Sequence, residues 1–600
     1  MLSYKSLALL AAVLVAGLFA LASPVARAGD PPLFDPVEFL DESTLDVVVL
    51  DDWHVDTVNG TTRQKLIEIN VAEWWPGQDF RMPVRLIVPL DGKATGFHIT
   101  GGHAYGSFDN DVGPTWYDAQ LIAGGVGVVQ TVVRPIESLP GGAQLAQDML
   151  ARLLQTHDLR YTTTWIWPMT LMRAATAAYA ETGHFEPGKI AGSGGSKNGY
   201  APAAALINDE RFTLTFSSAA PAYGSPLRMY DQGTMDEVTA ANDWFFAALD
   251  AGQIDPGEHT RSWYVNKSFG APDDLHVLAL AAGWTWQEIR QLVEETRTNF
   301  YVADNWDQLM ARGAEVFFQP GTHDWVAYDV LWGAQNHPQV PVYYQPNGIH
   351  DQTPHSAAET GVQNEQAVLL RHFLGGADPM LEPPSSTYEV AGDELRVSVT
   401  FDSGPEAESG RIWWMYDRYP GGSAPFLWER IPDDQWMDMT FDVQEGAWTA
   451  TIPLGPAAST IEFFSNHGLV VDGFQTYLSS PYTRAELAGP GDTDGDGCPD
   501  VNENGLDETL GGLRDYKNPW DFYDIAGLSG PTPDGYIDLL YDILGVIQHY
   551  SPNGKPPYDA HYDRGPTAGP NAWNMTAPDG VIDLLNDILG VIQQYSPDCR

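Results

Sequence analysis

From about residue 36 to residue 376, continuous apolar runs alternate with stretches whose apolar residues recur every three to four positions. The runs at 83–90, 96–100, 125–133, 189–191, 212–217, 315–319 and 340–345 predict strands, and the periodic text at 146–156 and 168–180 predicts helices between them. Uninterrupted Val, Ile and Phe runs leave no polar face, so such strands need cover on both sides. That requirement predicts a parallel or mixed sheet between helical layers, an α/β architecture over residues 36–380. Residues 221–312 offer no convincing strand and carry helical text at 286–299, which predicts a helical cap inserted over the sheet.

The pattern changes at Pro383-Pro384-Ser385-Ser386. Alternating segments at 395–401, 411–415, 448–452 and 460–464, with Gly, Pro, Ser and Asp between them, predict a β-sandwich of the immunoglobulin or fibronectin kind over 383–488. The tail, 490–600, holds two near-copies: Asp534-Gly-Tyr-Ile-Asp-Leu-Leu-Tyr-Asp-Ile-Leu-Gly-Val-Ile-Gln-His-Tyr-Ser-Pro552, and the matching run from Asp579 to Pro597. The repeat predicts two helices capped by Asp534 and Asp579, with Ile537, Leu540, Ile543, Leu544 and Ile547 forming the stripe by which they pack. These units resemble the paired loop–helix units of dockerins. The resemblance implies attachment of the tail to a surface or scaffold partner.

The first 28 residues carry an unbroken apolar run at 7–22 and then Ala26-Arg27-Ala28, which reads as an export signal cleaved after Ala28. The run is short for a spanning helix and no basic stop-transfer segment follows, so no membrane span is expected and the mature chain is expected to be secreted or held at the cell surface. Lys and Arg total 31 against 80 Asp and Glu, a net charge of −49, and cleavage would remove Lys5 and Arg27 to leave −51. Such a surface repels nucleic acid and anionic lipid and favours cations. The two cysteines, Cys498 and Cys599, both lie in the tail and are expected to pair in an oxidising compartment.

The candidate chemistry begins at Lys189-Ile-Ala-Gly-Ser-Gly-Gly-Ser-Lys-Asn-Gly-Tyr-Ala201. A strand that ends in Gly-x-Ser-x-x-Gly and runs into an Ala-rich helix has the layout of a nucleophile elbow. Ser196 is then the nucleophile and the backbone N–H of Lys197 an oxyanion donor, with Gly102 and His103, in the glycine loop after the strand at 96–100, as further donors. A serine nucleophile needs a base, and the base an orienting carboxylate. The strand at 315–319 runs on to Asp324 and the strand at 340–345 to His350, which supplies both groups in chain order after the serine. Asp329 is a rival acid, and His323 and His355 are rival bases.

Gly194-Gly-Ser-Lys-Asn-Gly199, Trp165-Ile-Trp-Pro-Met169 and Thr100-Gly-Gly102 together resemble the PhoPQ-activated pathogenicity-related family over about residues 40–380. The resemblance implies an exported α/β-hydrolase. More distantly, Ser196-Lys-Asn-Gly199 is similar to the Ser-Arg-Asn-Gly elbow of glucuronoyl esterases. Hydrolysis of a carboxylic ester through an acyl-enzyme is therefore the expected activity. A serine peptidase with the same triad, or a non-catalytic binding protein on this scaffold, is the alternative.

Asp492-Thr-Asp-Gly-Asp-Gly-Cys-Pro-Asp-Val-Asn-Glu503 places Asp492, Asp494, Asp496, Asp500 and Glu503 at loop positions 1, 3, 5, 9 and 12, with the carbonyl of Cys498 at 7. Calcium takes six to eight hard oxygens in this spacing, so a structural calcium ion is expected in the tail. The motif resembles EF-hand and thrombospondin type-3 loops.

Overall fold

A computed structural model describes residues 32–220, 223, 232–233, 235–236, 247, 250, 275–324, 330–350, 361–391, 394–416, 431–454, 458, 460–487, 496–503, 508, 511–515, 517–525, 535–569, 571–595 and 599. The expected export signal, much of the expected cap, Asp492, Asp494, Asp329 and His355 lie outside them. The chain divides into two units. One runs to Met235 and includes Asp273–Gln319 and Glu365–Gly376; the other comprises Asp236–Pro272, Pro320–Asn364 and Ala377–Arg600.

In the first unit, β1 (Val48–Val55), β2 (Thr62–Trp75), β3 (Gln78–Pro89), β4 (Ala94–Thr100), β5 (Gly127–Gln130), β6 (Phe185–Gly195), β7 (Phe212–Ser218) and β8 (Glu315–Gln319) form one sheet. The order is β1-β2-β3-β5-β4-β6-β7-β8, antiparallel from β1 to β5 and parallel from β5 through β8. The mixed α/β sheet is thus as the apolar runs predict. The expectation omits β1 and β2, because β2 alternates Ile67, Ile69 and Val71, all buried, with the polar Glu68 and Asn70, and so lacks a continuous run.

The helices Thr163–Ala180 and Lys197–Asn208 are buried over most of their length. Their small residues permit close approach: a Cβ on Gly192 of β6 would stand 2.5 Å from Cβ of Pro202. The described part of 221–312 contains the helices Leu275–Ala281, Trp286–Phe300 and Trp306–Ala311. Trp286–Phe300 lies against Lys197–Asn208, where Phe300 stacks on Tyr200 at 5.7 Å and Asn208 Nδ2 donates to the Asn299 carbonyl at 2.7 Å.

The second unit contains two antiparallel sheets. β9 (Ser385–Ala391), β10 (Glu394–Thr400), β13 (Thr440–Asp442) and β14 (Ala447–Pro453) form one; β11 (Ser409–Tyr416), β12 (Trp436–Asp438), β15 (Thr460–Val471), β16 (Phe474–Ser479) and β17 (Thr483–Glu486) form the other. Alternate residues of both sheets, Leu395, Val397, Val399, Trp448 and Ile452 with Ile412, Trp414, Ile461 and Phe463, enter a single core.

Two expectations are corrected. Residues 340–345 form no strand, only single bridges at Val342 and Gln345, the latter parallel to Gly321; the segment is held by β15 and β16, as described below. In the tail, the helix caps are Asp538 and Asp583, whose carboxylates accept from Tyr541 N and from Leu585 N and Asn586 N; Asp579 does not cap its helix, and Asp534 lies outside the described residues. Each helix opens with a π turn, Leu539–Ile543 or Leu584–Ile588, in which Ile543 N donates to Asp538 O and Ile588 N to Asp583 O. A wider turn advances each residue less around the axis, so the packing stripe drifts from the expected one. Ile537, Ile543 and Val546 are buried, while Ile547 is exposed. Cys498 and Cys599 are joined by a disulfide, within the same core as Val546 and Val591.

Candidate active site

β4 and β6 run parallel and adjacent, with Ile99 opposite Gly192, so their carboxyl ends open side by side. The chain order reverses here, since β5 lies on the far side of β4, and at such a switch point the two emerging loops diverge and leave a crevice. Ser196 occupies the turn between β6 and the Lys197–Asn208 helix at φ +61° and ψ −131°, a conformation few L-residues adopt. Its N–H donates to Ser218 O at 2.8 Å, and its carbonyl accepts from Gly199 N and Tyr200 N at 2.9 Å. The serine is half-buried.

Two glycines make this turn possible. Gly194 sits at φ +153°, and a Cβ there would lie 2.8 Å from both Cβ and the carbonyl oxygen of Asn198; a Cβ on Gly199 would lie 2.6 Å from Gly194 O. Asn198 also ties the elbow to the glycine loop, because with its amide turned to suit its surroundings it donates to Gly101 O at 3.0 Å and Val133 O at 3.1 Å. Arg134 holds the same loop from outside, donating to the carbonyls of Gly102 at 2.7 Å and His103 at 3.3 Å. Burial, with Arg85 and Arg134 nearby, lowers the His103 pKa, so its ring favours the neutral form.

In the second unit, Asp324 and His350 meet: His350 Nδ1 lies 3.1 Å from Asp324 Oδ1 and 3.2 Å from Oδ2. Asp324 is buried and the histidine ring is partly exposed, the arrangement in which a carboxylate fixes a tautomer. The rival His323 is buried, with its backbone N–H on Gly348 O at 3.0 Å. The two segments are laced together. Gln345 N donates to Pro320 O at 2.9 Å, Thr322 N to Gln345 O at 3.0 Å, and Asn347 N to Thr322 Oγ1 at 2.7 Å.

The β-sandwich then braces this arm. Tyr344 N donates to Ser479 Oγ at 2.7 Å, Asn466 Nδ2 to Tyr344 O at 3.0 Å, and Ser479 N to Val342 O at 2.8 Å. Asn347, buried and at φ +53°, donates from Nδ2 to Ile431 O at 2.8 Å and accepts from Ile431 N at 2.7 Å. None of these supports is visible in the motif text, because each joins residues about 80 to 135 positions apart.

Of the expected metal ligands, Asp496, Cys498 and Glu503 are buried, and Asp500 opens a short helix ending at Glu503. Asp521, 18 residues beyond the loop, joins them: carboxylate oxygens of Asp496, Glu503 and Asp521 all lie within 4.8 Å of one another. Sequence spacing misses Asp521 because it lies outside the twelve-residue loop. A guanidinium, Arg514, also sits in this region, its Nε donating to Asp521 O at 3.1 Å.

No known family and no curated protein matches the chain. Solved structures similar to part of it include a promiscuous CE15 esterase from a marine bacterial metagenome, 16% identical with a TM-score of 0.27, covering 46% of this chain and 68% of that one. Acetyl xylan esterase 1 from a Thermoanaerobacterium species is 13% identical with a TM-score of 0.28, covering 49% and 81%. A cold-adapted esterase from an Arctic intertidal metagenomic library is 11% identical with a TM-score of 0.24, covering 50% and 92%. Likenesses of this size are no basis for an activity, which has to rest on the chain's own residues.

Proposed function

We propose that the protein is an exported serine hydrolase of carboxylic esters, built on an α/β-hydrolase sheet, with Ser196 as nucleophile, His350 as base and Asp324 as its orienting acid. The observation that carries the reading is the backbone of Ser196 at φ +61° in a strand-to-helix turn that only glycine at 194 permits. Strain of this kind costs about 1–3 kcal/mol and persists where a function holds it. The Asp324–His350 pair supports it, since Nδ1 is the nitrogen turned to the carboxylate, and proton transfer is assigned to the ring's other nitrogen, Nε2.

In the proposed reaction Ser196 Oγ attacks the ester carbonyl as His350 Nε2 accepts its proton. The N–H groups of Lys197, Gly102 and His103 hold the resulting oxyanion, and the imidazolium returns the proton to the departing alcohol. Water, deprotonated by the same imidazole, then releases the acid. The ester class follows from the resemblance of the elbow text to that of the PhoPQ-activated and glucuronoyl esterase families. The tail supplies a structural site: Asp492, Asp494, Asp496, Asp500, Glu503, the Cys498 carbonyl and Asp521 offer the hard oxygens calcium takes, and a bound ion would neutralise carboxylates that otherwise repel. The duplicated tail helices are assigned to attachment to a surface or scaffold partner. Among the described residues no helix is long and apolar enough to cross a membrane.

Mass spectrometry after treatment with a fluorophosphonate tests the assignment. The wild type is expected to gain one adduct, on Ser196, and Ser196→Ala none, with ester turnover falling by about 10³-fold or more. An unlabelled, folded wild type, or an alanine variant that turns over esters at the wild-type rate, would overturn it.

A further inference from the structure

Three residues before the proposed nucleophile, a second serine–histidine–aspartate chain is sealed inside the sheet. His98 of β4 is fully buried and places Nδ1 3.1 Å from Asp118 Oδ1 and Nε2 2.9 Å from Ser193 Oγ, on the adjacent β6. Ser193 is itself buried and donates its hydroxyl to Glu365 Oε1 at 2.7 Å, while Thr115 Oγ1 donates to Asp118 Oδ2 at 2.6 Å. Because it is closed to solvent, this chain cannot reach a substrate.

Its hydrogen count is informative. With Glu365 as a carboxylate, which only accepts, the single hydroxyl hydrogen of Ser193 goes to its Oε1. The short contact to His98 therefore needs a hydrogen on Nε2, and the contact to Asp118 needs one on Nδ1, since an ionised carboxylate only accepts. A neutral imidazole holds one hydrogen and would leave a contact of acceptor against acceptor, which a buried site does not sustain. The ring that completes the network carries two.

We propose that His98 is a buried imidazolium, clamped between Asp118 and, across Ser193, Glu365, and that this clamp is a positioning device that locks β4 to β6 beneath the elbow. The inference rests on the reading of Ser196 as nucleophile for its catalytic meaning, though not for its chemistry. The charges are arranged to suit. Asp118, on the Trp116–Ala123 helix, is held below the usual carboxylate range: burial opposes this, and the hydrogen bond and charge of His98, with Thr115, outweigh it. Tyr117, whose ring centre is 6.0 Å from that of His98, is pushed upward by burial and by the charges of Glu365 and Asp118 and stays a neutral phenol. His103, the other titratable ring in the field of Asp118, favours the neutral form, and β5 contributes only Val128 opposite His98. The clamp thus joins the Trp116–Ala123 helix, β4, β6 and the start of the Asn364–Leu374 helix. It fixes the two strands whose ends carry the glycine loop and Ser196.

Two measurements test it on the full chain. The first is the ring ¹⁵N–¹H spectrum of ¹⁵N-histidine protein carrying Ser196→Ala, with His98 assigned by its loss in His98→Gln. Both ring nitrogens of His98 are expected to bear protons at neutral pH, and a singly protonated ring would overturn the proposal. The second is the rate of fluorophosphonate labelling in Glu365→Gln, which keeps an acceptor for Ser193 but removes the charge. Its maximal rate is expected to fall about tenfold, with apparent inhibitor affinity unchanged. A labelling profile identical to wild type would overturn the positioning role. Should Glu365→Gln not fold, or should the wild type not be labelled, the ring spectrum still decides the charge of the clamp, and the second of those results would count against Ser196 alone.

Discussion

Replacing Gly194 with alanine probes the elbow without removing any reacting group. The new Cβ would stand 2.8 Å from both Cβ and the carbonyl oxygen of Asn198, and these atoms belong to the first turn of the Lys197–Asn208 helix. Ordinary contact begins near 3.4 Å, so the turn has to retreat by roughly 0.6 Å or the strand has to move back. Alanine at φ +153° adds backbone strain of about 1–3 kcal/mol, and the overpacking adds about as much again, for a total of roughly 2–6 kcal/mol. The same retreat displaces Ser196 and the N–H of Lys197, and a shift approaching 1 Å at a nucleophile costs about 10²-fold in rate. Thermal unfolding and the fluorophosphonate labelling rate, taken together, are the assay, with Gly183→Ala as control because nothing lies within 4 Å of a Cβ there. If Gly194→Ala matched both the wild type and the control in melting temperature and labelling rate, Ser196 would not sit in a strained elbow and the assignment would lose its main support.

Two further perturbations follow from the geometry. Asn347→Ala removes both hydrogen bonds to Ile431 and orphans its buried N–H and carbonyl, which is expected to cost about 2–4 kcal/mol in denaturant unfolding and to slow labelling of Ser196; an unchanged midpoint and rate would show that the sandwich does not support the acid–histidine arm. Calcium at about 100 times its dissociation constant is expected to stabilise the tail by about 2.7 kcal/mol in the wild type and by much less in Asp521→Asn; a calcium response that is absent, or equal in both proteins, would remove Asp521 from the site.

What could be read from the text depended on whether neighbours in space were neighbours in sequence. The parallel strands from β4 to β8 announced themselves because each is a short apolar run buried on both faces. The antiparallel β2 did not, since Lys65 and Glu68 interrupt it, and their partners, Glu181 and Arg81, lie elsewhere in the chain. The turn at Ser196 was equally legible, because its glycines at 194 and 199 act on a helix that begins one residue after the serine. In the tail the repeat was plain but its phase was not. A π turn leaves no mark in a pattern of apolar residues, so the stripe ran through Ile547 when the core takes Val546.

The residues that escaped the motif reading share a chemistry as well as a distance. Ser193, His98, Asp118 and Glu365 span the chain from 98 to 365, and each alone is an ordinary polar residue in an apolar context. Placed together, with His98, Ser193 and Asp118 sealed from water, none of these three can be satisfied without its neighbours, and removing one leaves a buried donor or acceptor whose desolvation costs about 1–3 kcal/mol. That interdependence is the reason for the contrast with the Asp324–His350 pair, which uses the same residue types with the ring partly exposed. A buried chain has no path for proton exchange with a substrate and so can only hold a geometry. A chain whose imidazole is partly exposed can pass a proton on. The difference lies in solvent access to the imidazole, a property of the fold around it rather than of any local run of residues.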